Sequence, residues 1–184
     1  MTATVDRPVI GRSTGPTTAQ KPTTSLVSTL LVVLRLALAW EFLWAFVDKT
    51  VGLGFATPSE RSWLNGGSPT NGFLSNSATG PFTSFYKSIA GNAWADWLFM
   101  AGLLGIGTAL LLGIGMRIAA STGALLMVMM WSVTLPPETN PFLDTHLIEA
   151  VLLVLLAATY AGDHFGLGRR WANIPLVRTA PYLR

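Results

Sequence analysis

The sequence predicts an all-α integral membrane protein: a four-helix transmembrane bundle with a long outer loop carrying a short interfacial helix. Three observations point there. Half of the 184 residues are hydrophobic and 11% are charged, against about 25% charged in an ordinary soluble domain. Four apolar stretches stand out, each near the roughly 20 residues needed to cross about 30 Å of hydrocarbon. The basic residues gather on alternate sides of those stretches.

The first stretch runs from about Ser25 to Val47, the second from Trp97 to Gly115, the third from Ile118 to Leu135, and the fourth from Thr145 to Gly162. Backbone groups in lipid must be satisfied within the segment, so these read as helices. Residues 1–24 are rich in Thr, Pro, Ser and Gly and have no apolar period, which reads as a disordered tail rather than a secretory signal. The domain expectation is a cytoplasmic tail over 1–24, a membrane domain over 25–171 and a cytoplasmic C-terminal tail over 172–184.

Orientation follows from the basic residues. Arg7, Arg12, Lys21, Arg117, Arg169, Arg170, Arg178 and Arg184 fall on one side, eight in all, and Lys49, Arg61 and Lys87 on the other, three in all. The first group marks the cytoplasmic face, so both termini are expected there, in a multi-pass protein of the cell membrane. Trp44, Trp94, Trp97 and Trp131 then lie near the outer boundary and Trp171 near the inner one, where amphipathic rings sit as anchors.

Ala101, Gly105, Ala109 and Gly113 recur every four residues on the second stretch, a ladder of small residues that predicts close helix packing. The loop over about 50–95 carries turn-forming NGGSPTNG and then PFTSFYKSIAG, which sets Phe82, Phe85, Tyr86 and Ile89 on one stripe of a short interfacial helix.

Composition also excludes. The chain has no Cys and two His. Disulfides, thiolate metal sites, iron–sulfur clusters and covalent sulfur intermediates on this chain are ruled out, and no metal site is expected. The net charge of +3 comes from scattered residues that flank apolar spans, so nucleic acid is not an expected partner; the lipid bilayer is.

Against this apolar background stand the charges of RLALAWEFLWAFVDK (35–49). Arg35 lies about 18 Å below the outer end of the first helix at 1.5 Å per residue, where insertion costs roughly 2.5–3.5 kcal/mol. Glu41 is about 9 Å nearer the outside and roughly 120° round the helix. Asp48 returns to the face of Glu41. The fourth helix enters with LDTHLIEA, and Glu149 falls one turn below His146 on nearly the same face. Glu41 and Glu149 therefore meet at similar depth, with Arg35 beneath and His146 above. Each could instead set helix register, Glu41 or Glu149 pairing with Arg35. Together they predict a polar pocket, because ionisable groups within a membrane line proton or substrate routes. Glu41, Glu149 and His146 are the candidate acid/base groups; Arg35, Trp40 and Lys49 are the candidate substrate-binding groups. Carboxylates in low dielectric beside a His suit proton exchange near neutral pH, and Trp40, Phe42 and Trp44 suit a quinone headgroup. An anion drawn by Arg35 is equally open.

RLALAWEFLWAFVDK, WLNGGSPTNGFL, GPFTSFYKSIAGN, DWLFMAGLLGIGTALLLGIGMRIAA and NPFLDTHLIEAVLLVLLAATYAGDHFGLGRRW occur in an order that resembles the DoxX/DoxD-like membrane family, over about residues 29–171. The resemblance implies a four-helix protein of the cell envelope. Members include the DoxD-type subunit of thiosulfate:quinone oxidoreductase, which passes electrons from thiosulfate to membrane quinone; others are linked to redox-defence complexes. The family's Arg and Lys of the first helix correspond to Arg35 and Lys49. A Gly often precedes that Lys, where this chain has Asp48. The resemblance further implies quinone as electron acceptor and a second, smaller subunit as partner. The rival expectation is a non-catalytic scaffold that recruits a soluble redox enzyme, and an ion or proton pathway is a third.

Overall fold

The computed structural model describes residues 26–138 and 140–184; the tail expected over 1–24 lies outside them. The described residues are helical and include no strand. Helix α1 spans Leu26–Val51. A loop follows, carrying the short helices α2 (Asn71–Asn76) and α3 (Thr83–Ile89). Then come α4 (Ala93–Leu112), α5 (Met116–Val133), α6 (Thr145–Ala158), and two short helices, α7 (Gly168–Ala172) and α8 (Pro175–Thr179).

Helices α1, α4 and α5 are long and apolar enough to cross a membrane, and only 28–39% of their apolar windows is buried within the chain. Most of each apolar surface therefore faces outward, as Leu30, Val33, Leu98 and Leu125 do. A water-soluble domain turns such residues inward. These three helices are compatible with a multi-pass membrane protein. Helix α6 is apolar but has 14 residues, about 21 Å of axis, and ends at Ala158 where the sequence predicted a span to Gly162. Thr159 takes over the C-cap, Tyr160 turns left-handed at φ 52°, and a 3₁₀ turn covers Ala161–Asp163.

The helices alternate in direction. Helix α1 packs chiefly on α4 and α5 on α6, with α4 against α5 joining the pairs; α1 and α6 make no comparable contact. Leu38, Phe42, Met100, Ile106, Leu153 and Leu156 meet in the centre. The predicted ladder of small residues does not make this packing. A Cβ on Gly105 would meet nothing within 4 Å, whereas one on Gly107 would lie 2.7 Å from Leu43 Cγ. Gly107 thus lets α1 approach α4, and Gly105 faces outward. Of the ladder only Gly113 is buried at a crossing. A four-residue spacing marks a face without saying which neighbour it meets.

The bundle has two ends. At the first, α1 finishes and α6 begins; the 52–92 loop folds over it. Asp96, buried in the first turn of α4, accepts from Ser68 Oγ (2.8 Å), Thr70 N (3.0 Å) and Thr70 Oγ1 (2.6 Å). Tyr86 of α3 is buried against Ala78 and Val133, its hydroxyl bonded to Ser132 Oγ. The expected aromatic stripe therefore splits: Tyr86 docks on α5 while Phe82 and Phe85 stay exposed. Neighbouring positions on a helix diverge by roughly 100°, so Phe85 and Tyr86 cannot both face the bundle.

At the second end α4 turns into α5 through Gly113 (φ 70°). The segment read as a C-terminal tail folds back here. Trp171 Nε1 donates to Leu183 O (2.6 Å), Arg117 N to Arg184 O (2.8 Å), and Arg184 Nη2 pairs with Asp163 Oδ2 (2.7 Å).

Candidate functional site

The four charges of α1 have two different fates. Arg35 is fully buried. Its Nη1 donates to the carbonyls of Leu110 and Leu111 (3.0 Å to the latter), and its Nη2 to Phe165 O (2.9 Å) and, at 3.5 Å, to His164 O. The last carbonyls of α4 have no partner within their own helix and carry the negative end of its dipole. A guanidinium is thus a fitting cap for them, and it ties α1 to α4 and to the turn after α6. Asp48, also buried, accepts from Phe55 N (3.4 Å) and Ala56 N (3.0 Å), anchoring the chain as it leaves α1. Both charges are committed to backbone groups.

Glu41 and Lys49 have no such commitment. Glu41 lies on the exposed flank of α1. Lys49 follows Arg35 and Phe42 at sevenfold spacing on the inward face and is half-buried, with Asp48 as its electrostatic neighbour. Among the described residues neither forms an ion pair within 4 Å.

The partner elements are at the start of α6. Asp144 is its N-cap, Oδ1 accepting from Leu147 N at 3.1 Å. Its Oδ2 lies 2.6 Å from His146 Nδ1. One carboxylate thus caps the helix, a role Asp fills well, and orients the imidazole. Glu149 is half-buried one turn further along α6 and lies within electrostatic reach of Glu41, His146 and Asp144. A loose set of three carboxylates and a histidine therefore spans α1 and the start of α6.

Aromatic rings stand beside it. Trp40, 66% exposed, stacks on Trp44 with centroids 5.5 Å apart and 26° between planes. Phe55 meets Trp44 edge-on at 5.1 Å. The three make a ladder on the outward side of α1, ending one residue from Glu41.

Of the predicted site residues, His146 and Glu149 share the start of α6, Glu41 of α1 is within electrostatic reach of Glu149, and Trp40 and Lys49 lie elsewhere along α1. Arg35 does not join them: its donors point to the other end of the bundle. The pairing of Arg35 with Glu41 or Glu149, weighed as a register device, is not made. Two carboxylates expected to be buried differ in environment, Glu41 exposed and Glu149 half-buried. Sequence reasoning placed Asp144 at the boundary without seeing its hold on His146; the signal was an Asp ahead of an apolar helical run, an N-cap pattern. It missed Asp96 as a latch, for which an acidic residue in a first helical turn is a weak cue. Among the described residues no group of three or more His, Asp or Glu is arranged to hold a metal.

No family model matches the chain, and comparison with curated proteins and with solved structures finds no match.

Proposed function

We propose that the chain is a subunit of a membrane oxidoreductase that passes electrons from thiosulfate or a related sulfur anion to membrane quinone. The observation that carries this reading is that Glu149 lies within electrostatic reach of Glu41 and of the bonded Asp144–His146 pair; the Trp40–Trp44 stack, which begins one residue from Glu41, supports it. Reduction of a quinone takes two electrons and two protons; two sulfur anions that couple release two electrons. Glu41, Glu149 and His146 would deliver the protons, the indoles would face the quinone ring, and Lys49 would draw the anion to the mouth. Arg35 takes no part, because its donors hold carbonyls.

The placement belongs to the same proposal. The protein lies in the cell membrane with four spans and both termini in the cytoplasm. The eight-to-three split of basic residues supports the orientation. The run through Thr159 to Gly162 supports α6 as a shortened fourth span, which local thinning of the bilayer accommodates. The resemblance to DoxX/DoxD-like proteins supports the sulfur donor, the quinone and a second, smaller subunit as partner.

The decisive experiment uses membranes from cells lacking the protein, complemented with wild type, Glu41→Gln or Glu149→Gln, with native partners present. Thiosulfate-dependent reduction of a quinone analogue should appear with wild type and fall about 100-fold in each variant at equal protein level, the scale of lost proton transfer. Equal rates in deleted and complemented membranes would overturn the reading.

A second reading is a scaffold that recruits a soluble redox enzyme. It is favoured by the commitment of Arg35 and Asp48 to backbone carbonyls and N–H groups, since half of the charges in α1 prove architectural. A stoichiometric soluble partner recovered with wild type and with both Gln variants alike would select it.

A further inference from the structure

At the end of the bundle away from the carboxylates, an open groove of about 570 Å³ runs between α5 and α6. Its mouth is formed by Arg117, Tyr160 and Tyr182, its walls by Ser121, Val154 and Ala158. Arg117 is exposed. It uses Nη1 on Pro181 O (3.0 Å) and Nη2 on Tyr160 Oη (3.2 Å). A guanidinium has five N–H donors in a planar fork, so part of the fork remains open to an anion.

The charge at this end is one-sided. Residues 113–184 place Arg117, Arg169, Arg170, Arg178 and Arg184 on it, and the one acidic residue after α6, Asp163, is already paired with Arg184. Past the walls the groove opens onto an apolar strip: Leu125 of α5 is 61% exposed and Val151 of α6 is 68% exposed. The feature is thus amphipathic along its length, a basic and phenolic mouth leading onto hydrocarbon-lined helix faces. A free phosphate would satisfy the mouth and leave the walls uncovered; an apolar helix would cover the walls and leave the mouth without a counter-charge. A molecule with a phosphate at one end and an acyl chain at the other satisfies both.

We propose that this groove binds an anionic phospholipid, its phosphate at Arg117 between the two tyrosines and its chain along Val154 and Ala158. Basic pockets between membrane helices take anionic headgroups in this way. Exposed Tyr160 and Tyr182 at the mouth suit the interface where such a headgroup lies. The proposal rests on the membrane placement given above and not on the redox chemistry.

The test reconstitutes the full chain in vesicles of phosphatidylcholine and phosphatidylglycerol at equal amounts. After extraction in mild detergent, retained lipid is counted by native mass spectrometry. Wild type should hold one phosphatidylglycerol per chain in about fivefold excess over phosphatidylcholine, the ratio that one basic group near the surface supplies. Arg117→Gln should return retention to the mixing ratio. Ala158→Phe, on an exposed helix position, should do so by filling the groove without touching a charge, which keeps the test sound if loss of the Arg117 bonds loosens the C-terminal segment. Retention at the mixing ratio by wild type, or an excess unaltered by both substitutions, would overturn the site. So would a dimer trapped by cross-linking through Ser121→Cys, which would put a second copy in the groove. Release of wild type from the vesicles by alkaline carbonate would instead sink the membrane placement itself.

Discussion

The two ends of the bundle differ in the charge they carry, arginines at one and mostly carboxylates at the other. At the Arg117 end the buried Arg35 holds the last carbonyls of α4 and the turn after α6, and the half-buried Arg184 closes on Asp163. At the Glu149 end the buried Asp48 and Asp96 are likewise bonded to backbone and hydroxyl groups and Asp144 holds His146, while the less buried Glu41, Glu149 and Lys49 make no ion pair among the described residues. A charge bonded to backbone stabilises a fold, because unmade hydrogen bonds in low dielectric are costly. A charge left half-exposed in a gap contributes little to stability and is free to exchange protons or meet an ion. The contrast separates architecture from chemistry inside a single helix, α1.

Arg35→Leu should break the comparison most severely. It takes the guanidinium donors from the carbonyls of Leu111 and Phe165, leaves Leu110 O with Gly113 N alone, and removes the tie from α1 to α4 and the turn after α6, at about 3 kcal/mol. Little folded protein should be recovered from detergent, and what is recovered should unfold at lower temperature. If Arg35→Leu instead purifies normally with an unchanged Tm, the guanidinium is not architectural.

Glu149→Gln should do the reverse. Its thermal unfolding should match wild type within about 0.5 kcal/mol, as for a substitution that breaks no partnered group, while the quinone assay registers the loss described above. A large fall in Tm would move Glu149 to the architectural class.

Asp144 bridges both classes and sharpens the contrast. Asp144→Ala should lower stability by about 1 kcal/mol through the lost N-cap, and Asp144→Asn should recover that cap. Should orientation of His146 matter, quinone reduction falls in both; rescue of activity by Asn would confine Asp144 to capping.

Glycine substitutions give the smallest effect and its control. Gly105→Ala meets open space and removes a flexible residue from a helix, so stability should hold or rise by up to about 1 kcal/mol. Gly107→Ala crowds Leu43 and should lower Tm. Reversal of that order would show Gly105 buried against something in the native membrane.

How much of this was legible beforehand differs by element. The three long apolar helices could be read because a helix that can cross lipid obeys one rule: apolar side chains and internally bonded backbone over a fixed length. Their ends drifted by two to four residues, as with α4 beginning at Ala93 instead of Trp97, since a hydropathy pattern does not report where a cap bonds. Helix α6 fell short of its predicted end because Tyr160 takes a left-handed turn, which composition does not announce. That Glu41 and Glu149 fall within electrostatic reach of each other was legible from depth alone; that Glu41 lies on an exposed flank was not. The fate of Arg35 was not. Depth put it beneath the carboxylates, but its long side chain reaches carbonyls of α4 and of the turn after α6, residues 75 to 130 positions away.

The sequence by itself determined that this chain is built of apolar helices and that its ionisable groups fall at particular heights along them, because hydropathy and helical rise are local properties. Only the tertiary structure decided which of those groups are bonded and which are left open. Partnership depends on which backbone ends and side chains the packing brings within about 3 Å, and no single helix carries that information.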